Sequence, residues 1–311
     1  MRVIHSLCGL LVLAAAAAAA AAPALAQAPA RAPFPAPGTP AVWRDGGELA
    51  DALRAASIAT PAQGVAQVLA TDRTAFSLMR RTQPNNPLAH AGWTEVFYIV
   101  EGGGLLESGG TVTRNAAGEV TSYTGTVERR VKLGDVVVIP EGTPHRFRTL
   151  DGGVTYLEVR FPNEPGEGPA PSSRAAPAAG TAVMIYDGEG LYEALENGAR
   201  SPGSQATVPV VETDRYVVSL IRRGVSGRGA ASPGWNEVNY ILAGAGTFVS
   251  GGRLTAPGPE PLAVIDGVPQ RIRPGDVLVI PADTPQQFTG VDDFVTYFQV
   301  RMPNAAPRPR P

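Results

Sequence analysis

Gly134-Asp135-Val136-Val137-Val138-Ile139-Pro140-Glu141-Gly142-Thr143-Pro144-His145 is the stretch that decides how this chain is read. A glycine and an acid open it, a short β-branched run follows, and a Pro/Gly cluster closes it just before a histidine. That is the grammar of a short buried strand between two turns, with a polar side chain delivered at the exit. The first half of the stretch returns as Gly275-Asp276-Val277-Leu278-Val279-Ile280-Pro281.

Other pairs share nearly the same spacing. Asp45-Gly46 recurs as Asp187-Gly188, Thr71-Asp72-Arg73 as Thr213-Asp214-Arg215, and Trp93-x-Glu95-Val96 as Trp235-x-Glu237-Val238. One residue is lost before Val154-Thr155-Tyr156 returns as Val295-Thr296-Tyr297. A long period present only twice means duplicated domains, not a solenoid. The division expected is residues 41–163 and 181–305, joined by a Pro/Ala-rich linker over 164–180 and trailed by a disordered tail, 306–311.

Ahead of the first copy, Met1 and Arg2 precede an apolar, alanine-rich run that ends in Ala24-Leu25-Ala26. A basic start, a hydrophobic centre and an Ala-x-Ala site make residues 1–26 a secretory signal, so the mature chain is expected to begin at Gln27 and to be periplasmic or secreted. The only cysteine, Cys8, lies within that signal, which leaves no thiol for a disulfide framework. About 280 residues bury enough core without one. Residues 27–40 are Pro/Ala-rich and read as a disordered lead-in. With 26 Lys and Arg against 28 Asp and Glu, and no basic block, nothing favours a nucleic-acid partner. Removal of the signal also leaves no membrane segment.

Each copy begins with a short helix, Leu49, Ala52 and Leu53 in the first and Leu191, Ala194 and Leu195 in the second, at helical spacing. The rest reads as strands, including Phe76 to Met79, Val96 to Val100, Val136 to Ile139 and Val154 to Val159. Many short strands in about 120 residues imply an all-β fold, a sandwich or a jelly-roll barrel in each copy. Inward side chains of such a wall alternate with outward ones, so a few polar residues can meet at the barrel mouth.

Two segments resemble the sequence motifs of the cupin superfamily. His90-Ala91-Gly92-Trp93-Thr94-Glu95-Val96-Phe97-Tyr98-Ile99-Val100-Glu101-Gly102 is similar to the first motif, and the stretch from Gly134 to His145 to the second. The likeness covers both copies, which makes the chain similar to a bicupin and implies an all-β fold of two tandem jelly-roll barrels. It implies metal ligation by His90, Glu95 and His145. Leu88 stands where common cupins place a further histidine, with Asn85, Asn86 or water left to fill the gap. Two imidazoles and a carboxylate suit a divalent transition metal (Mn, Fe, Ni, Cu or Zn) and leave coordination positions open. Hydrogen-bonded barrel histidines without a metal are the alternative.

In the second copy Ser232 and Gln286 replace the two histidines, while Glu237 persists. That set is too poor in anionic or imidazole donors for a tight transition-metal site. A structural role for the second barrel is favoured over an organic-ligand pocket using Gln286 and Asn239. The doublets Arg80-Arg81 and Arg222-Arg223 place one member of each toward the barrel mouth or leave both solvated or ion-paired, and their recurrence favours the second reading. Trp93 and Trp235, present in both copies, point to packing.

Three function classes follow: a metal-dependent enzyme (oxygenase, isomerase or decarboxylase type) on a small organic substrate, a non-catalytic small-molecule or metal-binding protein, and a structural protein forming a homodimer. Oxalate-decarboxylase-like bicupins share the layout but carry complete metal motifs in both halves. The catalytic residues and the substrate are not named by the sequence.

Overall fold

A computed structural model describes residues 33–165, 168–200 and 205–304. The signal and cleavage site at 1–26, residues 27–32 of the lead-in and the tail 306–311 lie outside the described residues. Among the described residues no helix is long and apolar enough to cross a membrane.

Among the described residues the chain is all-β apart from two helices, Gly46–Ala59 and Gly188–Gly198, and its strands form two seven-stranded antiparallel sheets with two small ribbons. Asp45 and Asp187 cap the helices by accepting from the N–H of Glu48 and Gly190, which satisfies donors that the first turn leaves open. Leu49, Leu53 and Leu195 are buried beneath them, while Ala52 and Ala194 are exposed.

Two long strands dominate each copy: Trp93–Ser108 against His145–Pro162, and Trp235–Ser250 against Gln286–Pro303. The register shifts three times in each pair, for example between Ile99 and Glu101 and between Gly102 and Gly104. Such bulges bend a strand, and here they let one strand serve both walls of a barrel. Gly102 sits at φ +68°, and a Cβ there would run into the Gly153 carbonyl. This explains the glycine that ends the first motif.

Between the bulges, side chains alternate across these sheets. In the first copy Phe97, Ile99, Val137, Ile139, Phe147 and Tyr156 fill the barrel interior. Val96, Tyr98, Val136, Val138, Leu157 and Val159 face the other way, into a core shared with Val218, Val238, Val279, Phe298 and Val300 of the second. Both faces are therefore buried, as the near-continuous apolar runs require. Tyr98 packs on Phe298 with ring centroids 5.0 Å apart, and Phe161 on Tyr216 at 5.5 Å.

The two copies also trade edge strands. Val42–Arg44, which precedes the first helix, pairs with Val277–Ile280 of the second copy, whereas Met184–Tyr186 pairs with Val136–Ile139 of the first. The repeated Gly-Asp pair fastens each exchange. Asp135 Oδ1 accepts from Gly188 N–H at 2.8 Å, and Asp276 Oδ1 accepts from Gly46 N–H at 2.8 Å. Their other oxygens accept from Lys132 and Arg273 N–H, and Asp276 Oδ2 also from the Trp43 indole at 3.1 Å. A Cβ on Gly46 or Gly188 would collide with the backbone of Gly275 or Gly134.

Composition misled at two places. Residues 33–40, expected to be disordered, are fastened: Phe34 packs edge-on against Phe76 at 6.3 Å, Gly38 N–H donates to the Ala282 carbonyl, and Thr284 Oγ1 donates to the Thr39 carbonyl. The described part of the Pro/Ala-rich segment is likewise strapped down. Asp214 N–H donates to the Arg174 carbonyl, and the Trp235 indole to the Pro169 carbonyl. A few backbone hydrogen bonds and one ring suffice where neighbouring surface is already formed.

Candidate metal centre

His90 lies on the loop before Trp93–Ser108, and its carbonyl accepts from both Trp93 and Gly142 N–H. Glu95 sits two residues into that strand, facing inward. His145 opens the strand His145–Pro162, and its backbone bridges Leu88 in both directions, at 3.0 and 2.8 Å. The loop, the strand and the strand start thus bring His90, Glu95 and His145 together, with one ligand-type atom from each lying within 4.8 Å of the others.

The electrostatics are specific. Glu95 is 1% exposed, yet His90 Nδ1 lies 2.5 Å from its Oε1 and His145 Nε2 lies 4.0 Å from its Oε2. Burial pushes the Glu95 carboxyl up, but the His90 hydrogen bond and the charges of His145, His90 and Arg160 outweigh it and hold the group below its ordinary value. His145 is shifted down, chiefly by burial and against the pull of Glu95, so its neutral imidazole is favoured. Its Nδ1 is 3.0 Å from the Thr143 carbonyl. Nδ1 therefore carries the proton and Nε2 turns its lone pair toward Glu95, the arrangement that ligating imidazoles usually show.

One atom tests the fit of a metal. Glu95 Oε2 is buried and has no hydrogen-bond donor, with His145 Nε2 on one side and Arg160 Nη2 3.6 Å away on the other. A buried carboxylate oxygen that accepts no hydrogen bond costs about 1–3 kcal/mol, and the Arg160 guanidinium, an ion-pair partner beyond hydrogen-bond reach, leaves that oxygen open to a further cation. The residues present fit a divalent metal with three protein donors. Leu88 supplies no fourth, and Asn85 is spent elsewhere: its Oδ1 accepts from Phe147 N–H and its Nδ2 donates to the Asn86 carbonyl.

The cavity beside these residues has a volume of about 240 Å³ and is lined by side chains that motif reading passed over. Tyr156, Glu158 and Arg160 alternate inward along one strand, Arg160 directly opposite Glu95 in the register. Burial pushes the Glu158 carboxyl up to about 7, against Arg160 and with help from Glu95, and Arg160 Nη2 donates to it at 3.0 Å. The period-two pattern Tyr156-x-Glu158-x-Arg160 was the available signal. Arg81 also lines the cavity, 8% exposed, with Nε donating to Tyr156 Oη at 3.1 Å. Its neighbour Arg80 points outward and pairs with Glu101 at 2.9 Å. One member of the doublet does face the mouth, so recurrence in both copies was a poor reason to read the pair as solvated.

At the equivalent place in the second copy, Glu237 accepts from Ser232 Oγ and, at 3.0 Å, from Gln299 Nε2. Both carboxylate oxygens are thus satisfied by neutral donors. Among the described residues only His90, Glu95 and His145 form a group able to hold a metal. Trp235 is buried against the Pro/Ala-rich segment, in keeping with a packing role.

No protein-family model and no curated protein matches the sequence. Solved structures do match. Salicylate 1,2-dioxygenase from Pseudaminobacter salicylatoxidans superposes with a TM-score of 0.60 at 13% identity, covering 86% of each chain. A mutant of that enzyme in complex with gentisate gives 0.60 at 13% identity, covering 86% of this chain and 83% of the other. A cupin 2 conserved barrel domain protein from Leptotrichia buccalis gives 0.47 at 13% identity over 77% and 88%. The chain thus has the bicupin fold, two tandem jelly-roll barrels, with a His/Glu/His group in the N-terminal one.

Proposed function

We propose that the chain is an exported, metal-dependent cupin enzyme, of oxygenase type before isomerase or decarboxylase, whose first barrel holds one divalent transition metal through His90, Glu95 and His145 and acts on a small organic acid. The observation that carries the reading is the buried Glu95 carboxylate with one imidazole at each oxygen, His90 bonded to Oε1 and His145 fixed with its lone pair toward Oε2, which accepts no hydrogen bond. When bound, such a metal supplies open coordination positions for a substrate oxygen or for dioxygen, with Lewis-acid or redox character. The dioxygenase likeness at the level of fold supports placing oxygenase chemistry first.

The chain's own residues supply the rest. Arg81 is buried with no carboxylate partner among the described residues, its Nε held by Tyr156, so its remaining N–H groups are available to a substrate carboxylate in bidentate fashion. Phe97, Phe147 and Met79 form the apolar part of the cavity wall. Glu158, with its carboxyl pushed up to about 7, can hold or release a proton near neutrality beside Arg160.

Elemental analysis of the purified mature protein should find one transition-metal ion per chain. Metal content no higher than in the His90→Ala/His145→Ala double variant would remove the proposed centre. N-terminal sequencing of periplasmic material should begin at Gln27.

A further inference from the structure

The second barrel contains the larger cavity, about 520 Å³ against about 240 Å³ in the first. That volume falls within the usual range of small-molecule sites. Its lining is unlike a filled structural core. Asn239 is 1% exposed and inward; its Oδ1 accepts from Gln299 at 3.1 Å, and its amide N–H groups make no hydrogen bond among the described residues. The Gln286 side chain also makes none among them, its backbone alone being tied to Ala230. Asn239 is buried and Gln286 half-buried at the rim, and because the described residues leave both amides without a partner for their N–H groups, they are free to hydrogen-bond a polar occupant of the cavity.

The charge balance is equally telling. Arg222 points outward and pairs with Glu196 at 2.6 Å, but Arg223 lines the cavity with no carboxylate partner among the described residues. Neutral acceptors hold it in place, Nε by Tyr297 Oη at 3.0 Å and Nη1 by Gln205 Oε1 at 2.6 Å. Glu237 does not neutralise it. That carboxylate is occupied by Ser232 and Gln299 and lies 3.9 Å from Arg301 Nε, while Glu212 and Arg228 at the rim are both exposed. Phe288 and Tyr297, stacked with centroids 5.6 Å apart at 21°, supply a flat apolar wall.

From this set we infer that the second barrel is a metal-independent binding site for a small polyhydroxylated carboxylate, of which a uronic acid is representative. The Arg223 guanidinium takes the carboxylate, the Asn239 and Gln286 amides take hydroxyl groups, and the ring wall takes the C–H face. A neutral sugar lacks the anion, and a simple fatty acid lacks partners for the amides. The site does not depend on the metal reading of the first barrel.

Titration calorimetry of the full-length mature protein, stripped with EDTA, tests the inference with D-glucuronate and D-galacturonate as probes and D-glucose and acetate as controls. At least one uronate should bind with Kd below about 1 mM, and both controls should bind far more weakly. Arg223→Gln should weaken that binding about tenfold or more. Gln286→Glu, a rim change that adds a negative charge without disturbing the core, should weaken it as well. The His90→Ala/His145→Ala variant should bind as wild type does. The inference is overturned if neither uronate binds, if glucose binds as well as the uronates, if Arg223→Gln and Gln286→Glu, folded by circular dichroism, bind unchanged, or if loss of the two histidines abolishes binding.

Discussion

Glu95 and Glu237 occupy the same place on the same strand of two copies of one barrel, each opposite an arginine in the register, yet their surroundings differ in kind. Around Glu237 a hydroxyl and an amide satisfy both oxygens; around Glu95 one oxygen meets an imidazole and the other meets no donor. Three exchanges account for the difference: Ser232 for His90, Gln286 for His145 and Gln299 for Glu158. A duplicated scaffold can thus keep its carboxylate for backbone-neighbouring polar order in one half and leave it short of a partner in the other. Persistence of a residue in both copies says that the barrel tolerates it, not what it does.

The sharpest way to break the comparison is to separate the halves. Residues 41–163 alone lack the edge strand Met184–Tyr186 and expose Val96, Val138, Leu157 and Val159, all fully buried in the shared core. This piece is expected to aggregate or to show no cooperative unfolding, because several buried aliphatic side chains, worth about 1.5–3 kcal/mol each, would face water. A soluble fragment with a sharp thermal transition would mean that each barrel folds by itself. Next in size is the metal. His90→Ala and His145→Ala should each bring bound metal after dialysis close to zero with the far-ultraviolet circular dichroism unchanged, whereas Ser232→Ala and Gln286→Ala should leave it as in wild type. Equal losses from both sets would erase the distinction between the copies.

Much of this was legible in the sequence because it depends on local rules. The turn glycines, the β-branched runs and the offset of the repeats identified tandem barrels, and His90, Glu95 and His145 stood out as motif residues. What was not legible depends on partners far apart in the chain. Nothing local says that Val42–Arg44 will add to the sheet of the second copy, or that Asp135 will accept from the helix after it across the exchange. Arg81 and Arg160 were hidden for a related reason: an arginine reads as solvated unless its strand parity is followed to the cavity. A pocket in the second barrel using Gln286 and Asn239 ranked below a structural role because loss of histidines is visible in a sequence and gain of space is not.

The exchanged Gly-Asp joints offer a smaller, symmetric test. Asp135 and Asp276 are 3% and 0% exposed, and each accepts backbone N–H groups from its own turn and from the helix of the other copy. Asp135→Ala should cost about 2–3 kcal/mol in urea unfolding. Asp276→Ala should cost somewhat more, because it also strands the Trp43 indole N–H. Equal and negligible effects from the two would show that the joints do not hold the halves together.

The smallest expected effect comes from Glu158, whose counterpart Gln299 cannot titrate. Burial first, and the nearby Glu95 carboxylate second, raise the Glu158 carboxyl from an ordinary 4.5 to about 7, with Arg160 opposing. Between those two values the native protein holds a proton that the unfolded chain releases, so this group's contribution is fully present below about 4.5 and is lost as pH rises through 7. Buried His145, shifted down, works in the opposite direction and costs stability as pH falls below its ordinary value. Single profiles therefore mix the two, and the informative quantity is the difference between wild type and Glu158→Gln in metal-free buffer. That difference should move in favour of the variant by on the order of 2 kcal/mol between pH 4.5 and 7.5, read as urea midpoints at each pH. Gln299→Glu should confer on the second copy a loss of the same sign, since it buries a new carboxyl beside Glu237. A flat difference for Glu158→Gln would mean that Arg160 compensates the carboxylate fully, and the asymmetry between the barrels would then reside in the histidines alone.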